Sequence, residues 1–130
     1  MPISISWDNT DKTIIQYRFE GRWTWDEFNK GLFEANSMMD SVNHTVHVIV
    51  NMGNSAALPR GAITQIASLR TRKHPRIGVT ILVGASSLVQ SIHSAMTKIY
   101  AGIDRNFKML PTLEEARAVL ERGESKKEIG

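Results

Sequence analysis

The chain has 130 residues, 42% of them hydrophobic and 22% charged, with a formal net charge of +3 and no cysteine. Such a length suits one domain able to bury about two-thirds of the surface its unfolded form exposes. The missing cysteine excludes disulfides, thiolate nucleophiles, iron–sulfur clusters and cysteine-based zinc sites.

From the N-terminus, Ile3, Ile5 and Trp7 alternate with Ser4 and Ser6, the period of a half-buried strand. Asp8 to Lys12 is a turn cluster, and Thr13 to Glu20 resumes as a β-branched and aromatic strand, so an antiparallel hairpin is expected. Thr24 and Glu27 have capping-box spacing, and Trp25, Phe28, Leu32, Ala35 and Met39 form one helical stripe behind them. Thr45 to Val50 reads as a central strand buried on both faces, followed by a Gly/Asn/Ser/Pro loop from Met52 to Arg60. Ile63, Ile66, Ala67 and Leu69 predict a second helix, closed by His74-Pro75. Ile77 to Val83 is the next strand, and Leu88, Ile92, Ala95, Met96 and Ile99 mark a third helix. Phe107 to Leu110 is a short last strand. Thr112 and Glu115 cap a fourth helix carrying Leu113, Ala116, Val119 and Leu120.

The expected order is β-β-α-β-α-β-α-β-α, an α/β domain over residues 1–122 with a mainly parallel mixed sheet of about five strands. Residues 123–130 read as a flexible charged tail. The N-terminus lacks a signal-peptide pattern, and the most apolar stretch, Ile77 to Ala85, is too short to span a bilayer. A cytoplasmic domain without a membrane span is expected.

Charge divides unevenly. Residues 1–65 hold five Lys/Arg against seven Asp/Glu, and residues 66–130 hold eleven against six. Arg70, Arg72, Lys73 and Arg76 supply much of the excess, where cations favour the negative end of a helix dipole. No aromatic residues interleave them to stack bases, which argues against nucleic acid.

Loops after the carboxyl ends of parallel strands are where such sheets engage ligands and partners. The candidates there are Trp23 and Thr24 after the second strand, and Asn51, Asn54, Ser55, Arg60 and Gly61 after the third. Ser86 and Ser87 follow the fourth. Several of these loops open a helix, whose free amides favour an anion. Gly53, Gly61 and Gly84 would permit close backbone approach or positive φ. An exposed Trp23 would anchor an interface, whereas a buried one would staple the helix start against Phe28.

Motifs for catalysis are missing from the chain: GxSxG, HExxH, SxxK and both phosphate-loop fingerprints. His44 and His47 are three apart on a strand and so face opposite ways, against joint metal ligation. No catalytic residue, metal site or cofactor is therefore expected.

The Ile5 to Ile14 hairpin, the Phe19-Glu20-Gly21 to Trp25 turn and the Val48 to Met52 strand end resemble STAS-like domains. That superfamily includes the sporulation anti-sigma factor antagonists and the cytoplasmic tails of sulfate transporters, and CRAL-TRIO-type lipid binders share a related architecture. The resemblance spans about 120 residues as an order of elements. It implies a non-catalytic regulatory domain with a protein partner, a second copy of the chain being one candidate. Antagonists of this kind carry an Asp-Ser-Ser/Thr-Gly-Leu segment whose hydroxyl is phosphorylated. Here the corresponding Ala57 to Ala62 keeps only Gly61, and Asn51 stands where the strand would end in Asp. The alternative is a domain binding an anionic or lipid-like small molecule at the helix N-termini.

Overall fold

The computed structural model describes residues 2–55, 59–61, 64–65, 74–84 and 107–129, with side chains in the last helix described as far as Glu121. The second predicted helix apart from residues 64–65, the third predicted helix, three of the four clustered cations, Ser86 and Ser87 lie outside these residues.

Five strands form one sheet in the order β1-β2-β3-β4-β5: β1 Ile3–Trp7, β2 Ile14–Gly21, β3 Val46–Ser55, β4 Ile77–Val83 and β5 Phe107–Leu110. β1 runs antiparallel to β2, and every other pairing is parallel. The hairpin register sets Ile5 opposite Tyr17. Its turn is held by Asn9, whose Oδ1 accepts from the Thr13 and Ile14 amides. Two helices are described, α1 (Trp25–Asp40) and α2 (Leu113–Ile129).

Strand alternation divides the core into two clusters. Ile15, Tyr17 and Phe19 of β2 and Val46 and Val48 of β3 meet Phe28, Ala35 and Met39 of α1 on one face. Ile14, Ile49, Ile81 and Val83 meet Ala116 and Leu120 of α2 on the other. Each fully buried side chain of this kind contributes about 1.5–3 kcal/mol. Phe33, off the α1 stripe, is 76% exposed.

Two boundaries differ from the sequence reading. β3 continues to Ser55 instead of yielding to a loop at Met52, because β2 also runs on: one extra residue in β3, at Met52–Gly53, shifts the register so that Glu20 pairs with Asn54 and Gly21 with Ser55. The last helix continues to Ile129, through the segment read as a tail. Residues 124–129 (Glu, Ser, Lys, Lys, Glu, Ile) contain neither glycine nor proline, so helix propensity carries the helix on past Gly123.

Tyr17 lies in the first cluster, stacked on Phe19 at 6.5 Å. Burial, together with the Glu34 carboxylate, pushes its phenol well above the ordinary value. The folded chain therefore keeps a proton that the unfolded chain loses above about pH 10. This contribution to stability is intact below that pH and falls at higher pH, by up to about 1.4 kcal/mol per unit. Urea midpoints from pH 9 to 11.5 check it: the wild type should fall more steeply than Tyr17→Phe.

Candidate functional site

The carboxyl ends of β2 and β3 meet the start of α1, and an aromatic corner is built there. Gly21 leaves β2 at φ 60°, and Thr24 takes an extended conformation that caps α1. The Thr24 hydroxyl accepts from the Glu27 amide at 3.2 Å, and Glu27 Oε1 accepts from the Thr24 amide at 2.9 Å. This is the capping box expected from sequence, and its acids also favour the positive helix end.

Trp23 sits just before that cap and is 6% exposed. Of the two readings of Trp23, its burial fits the staple and not the exposed anchor: the indole lies in the core. It packs edge-on against Phe19 at 4.8 Å and Trp25 at 4.9 Å, and lies 6.1 Å from Phe28. The pairing with Phe28 is a hydrophobic staple, which sets the angle at which the chain enters α1.

Both indole N–H groups find partners across the corner. Trp23 Nε1 donates to Ser55 Oγ at 2.8 Å, which ties the end of β3 to the start of α1. Trp25 Nε1 donates to the Arg60 carbonyl at 2.7 Å, which ties residues 59–61 to the same helix. Gly61 follows at φ 84°, and its carbonyl accepts from the Gln65 amide at 3.0 Å. Five of the predicted rim residues (Trp23, Thr24, Ser55, Arg60 and Gly61) thus converge on this corner. The Asn54 and Arg60 side chains are exposed there.

At the neighbouring strand ends, the backbones approach closely. Gly84 follows β4 at φ 71°, and a Cβ built on it would lie 2.8 Å from the Gly53 Cα and 2.9 Å from its nitrogen. Glycine at both positions, with no Cβ on either, is what allows the ends of β3 and β4 to come this close together.

Asn51 does not join the corner. By strand alternation it faces the α2 side, where its Nδ2 donates to Gln16 Oε1 at 3.2 Å and its Oδ1 accepts from the Gly53 amide at 3.1 Å. Gln16, 5% exposed, donates from Nε2 to Asp8 Oδ1 at 2.7 Å. Arg117 of α2 grips the same carboxylate with both arms, Nε to Oδ2 at 2.8 Å and Nη2 to Oδ1 at 2.7 Å. The hydrogen bonds to Asp8 make the guanidinium still harder to deprotonate than usual. The sequence reading missed this line of polar groups. Its one local sign is Gln16, a polar residue between strand positions whose neighbours are buried.

His47 is 4% exposed, and its Nδ1 accepts from the Val79 amide at 3.0 Å, so it serves the sheet core. His44 lies just before β3, near the same amino ends of β2 and β3, with Nε2 2.8 Å from the Lys12 carbonyl.

No family model and no curated protein sequence matches this chain.

Proposed function

We propose that this chain is a non-catalytic, STAS-like regulatory domain that engages a protein partner through the rim around Asn54 and Arg60. The fold elements support the reading in its coarse form: a mixed five-stranded sheet with an antiparallel opening strand and helices on both faces. The observation that carries the partner assignment is the pair of indole hydrogen bonds that hold Ser55 and Arg60 against α1. A segment fixed in this way presents its exposed groups with little ordering cost on binding. Arginine at the edge of an aromatic corner is also a favoured contact residue.

Thr24 is committed to its helix cap, and the Ala57 to Ala62 stretch carries no hydroxyl. Regulation by phosphorylation at the position used by the antagonists is thus not part of this reading. Partner availability would control the domain instead.

Native mass spectrometry of the chain isolated from its source organism tests the proposal. A complex with a second polypeptide, or with a second copy, is expected. A chain carrying a constant small-molecule mass and no polypeptide would overturn the reading in favour of a ligand-binding domain.

A further inference from the structure

A line of polar side chains crosses the α2 face of the sheet from Arg117 to the rim, and its direction is determined at one end. An ionised aspartate only accepts hydrogen bonds. Asp8, whose side chain is 5% exposed, receives both arms of Arg117 and so faces Gln16 as a carboxylate. Gln16 must then turn its NH2 toward Asp8, which leaves its Oε1 facing Asn51. Asn51 must in turn offer its NH2 to Gln16, which leaves its Oδ1 facing the Gly53 amide. Each amide has one way round that satisfies both neighbours. Hydrogen bonds linked in this manner also reinforce one another.

We infer that Asp8 and Arg117 are positioning residues for the rim, fixing Gly53 through the ordered amides of Gln16 and Asn51. The same chain of donors explains why residue 51 is Asn. Aspartate there would set a carboxylate against Gln16 Oε1 at 3.2 Å, two acceptors with no proton between them. Apolar residues of similar volume can replace a buried polar group at little net cost when its partners go too. What the polar line supplies is therefore a defined orientation for Gly53, next to the close approach of Gly84. Any influence of α2 docking on partner binding rests on the function proposed above; the positioning itself does not.

Backbone order parameters from 15N relaxation test this in the intact chain, using Gln16→Met and Arg117→Met. Rigid backbone gives about 0.85 and flexible backbone less than about 0.6. The Gly53 value is expected to fall from the first range toward the second in both variants, while Ile49 in the middle of β3 stays unchanged. An unchanged Gly53 in Gln16→Met would overturn the inference. So would an equal fall at Gly53 and Ile49, since that would mark a general loss of packing. Arg117→Lys keeps a cation beside Asp8 and should retain an ordered Gly53; loss of order in this variant also counts against the inference.

Discussion

Trp23→Ala is expected to cost about 3–5 kcal/mol of folding stability, enough to remove a large share of what holds a domain of this size folded. The indole is 6% exposed and is the hub of the aromatic corner, touching Phe19, Trp25 and Phe28. Removing it leaves a cavity bounded by rigid rings, which collapse poorly. It also strips Ser55 of the N–H that ties β3 to α1. Trp23→Phe separates the two effects: it refills much of the volume but still loses the hydrogen bond, worth about 1 kcal/mol. Urea unfolding followed by circular dichroism should rank wild type above Trp23→Phe and Trp23→Ala lowest. Equal midpoints for wild type and Trp23→Ala would place the indole outside the core.

Gly84→Ala is expected to be nearly as damaging, at about 3 kcal/mol, although it adds only one methyl group. The residue has φ 71°, where a Cβ costs about 1–2 kcal/mol. The new carbon would also lie 2.8 Å from the Gly53 Cα, which is backbone and cannot rotate away. Relief requires the ends of β3 and β4 to separate, with the strain of an overpacked site. Thermal unfolding checks the size of the effect. Gly53→Ala offers the contrast, because among the described residues a Cβ there meets only the Asn51 Oδ1, at 3.4 Å. The Gly84 variant should therefore melt well below the Gly53 variant.

Much of the architecture was legible because local and global signals agree. The alternation of Ile3, Ile5 and Trp7, the Asn9 turn and the Thr24–Glu27 cap each specify an element that the sheet also requires. The continuation of β3 to Ser55 was not legible. Met52, Gly53 and Asn54 have loop-like composition, and only the continuation of β2 past the register shift gives this end of β3 a partner. Local propensity lost there to tertiary pairing.

The candidate site was legible as a place more than as an arrangement. Strand-end topology located the rim, and Gly61 and Gly84 adopt the positive φ that their type permits. The burial of Trp23 depended on contacts with Phe19 and Ser55, far away in sequence, which spacing cannot reveal. Asn51 was assigned to the rim by position along its strand, while the side of the sheet it faces follows from β3 register. The Arg117–Asp8 pair joins residues 109 positions apart. It left no periodic trace.

The central claim, that the rim around Asn54 and Arg60 is a partner-docking surface, is tested most directly by quantitative affinity capture with wild-type and Arg60→Glu baits. The fold should tolerate this change, because Trp25 contacts the Arg60 carbonyl and the side chain is exposed. The account predicts a host polypeptide bound by the wild type and reduced at least about tenfold on Arg60→Glu, the loss expected on reversing a contact charge. Equal recovery of every bound polypeptide on the two baits, with both folded by circular dichroism, would contradict it.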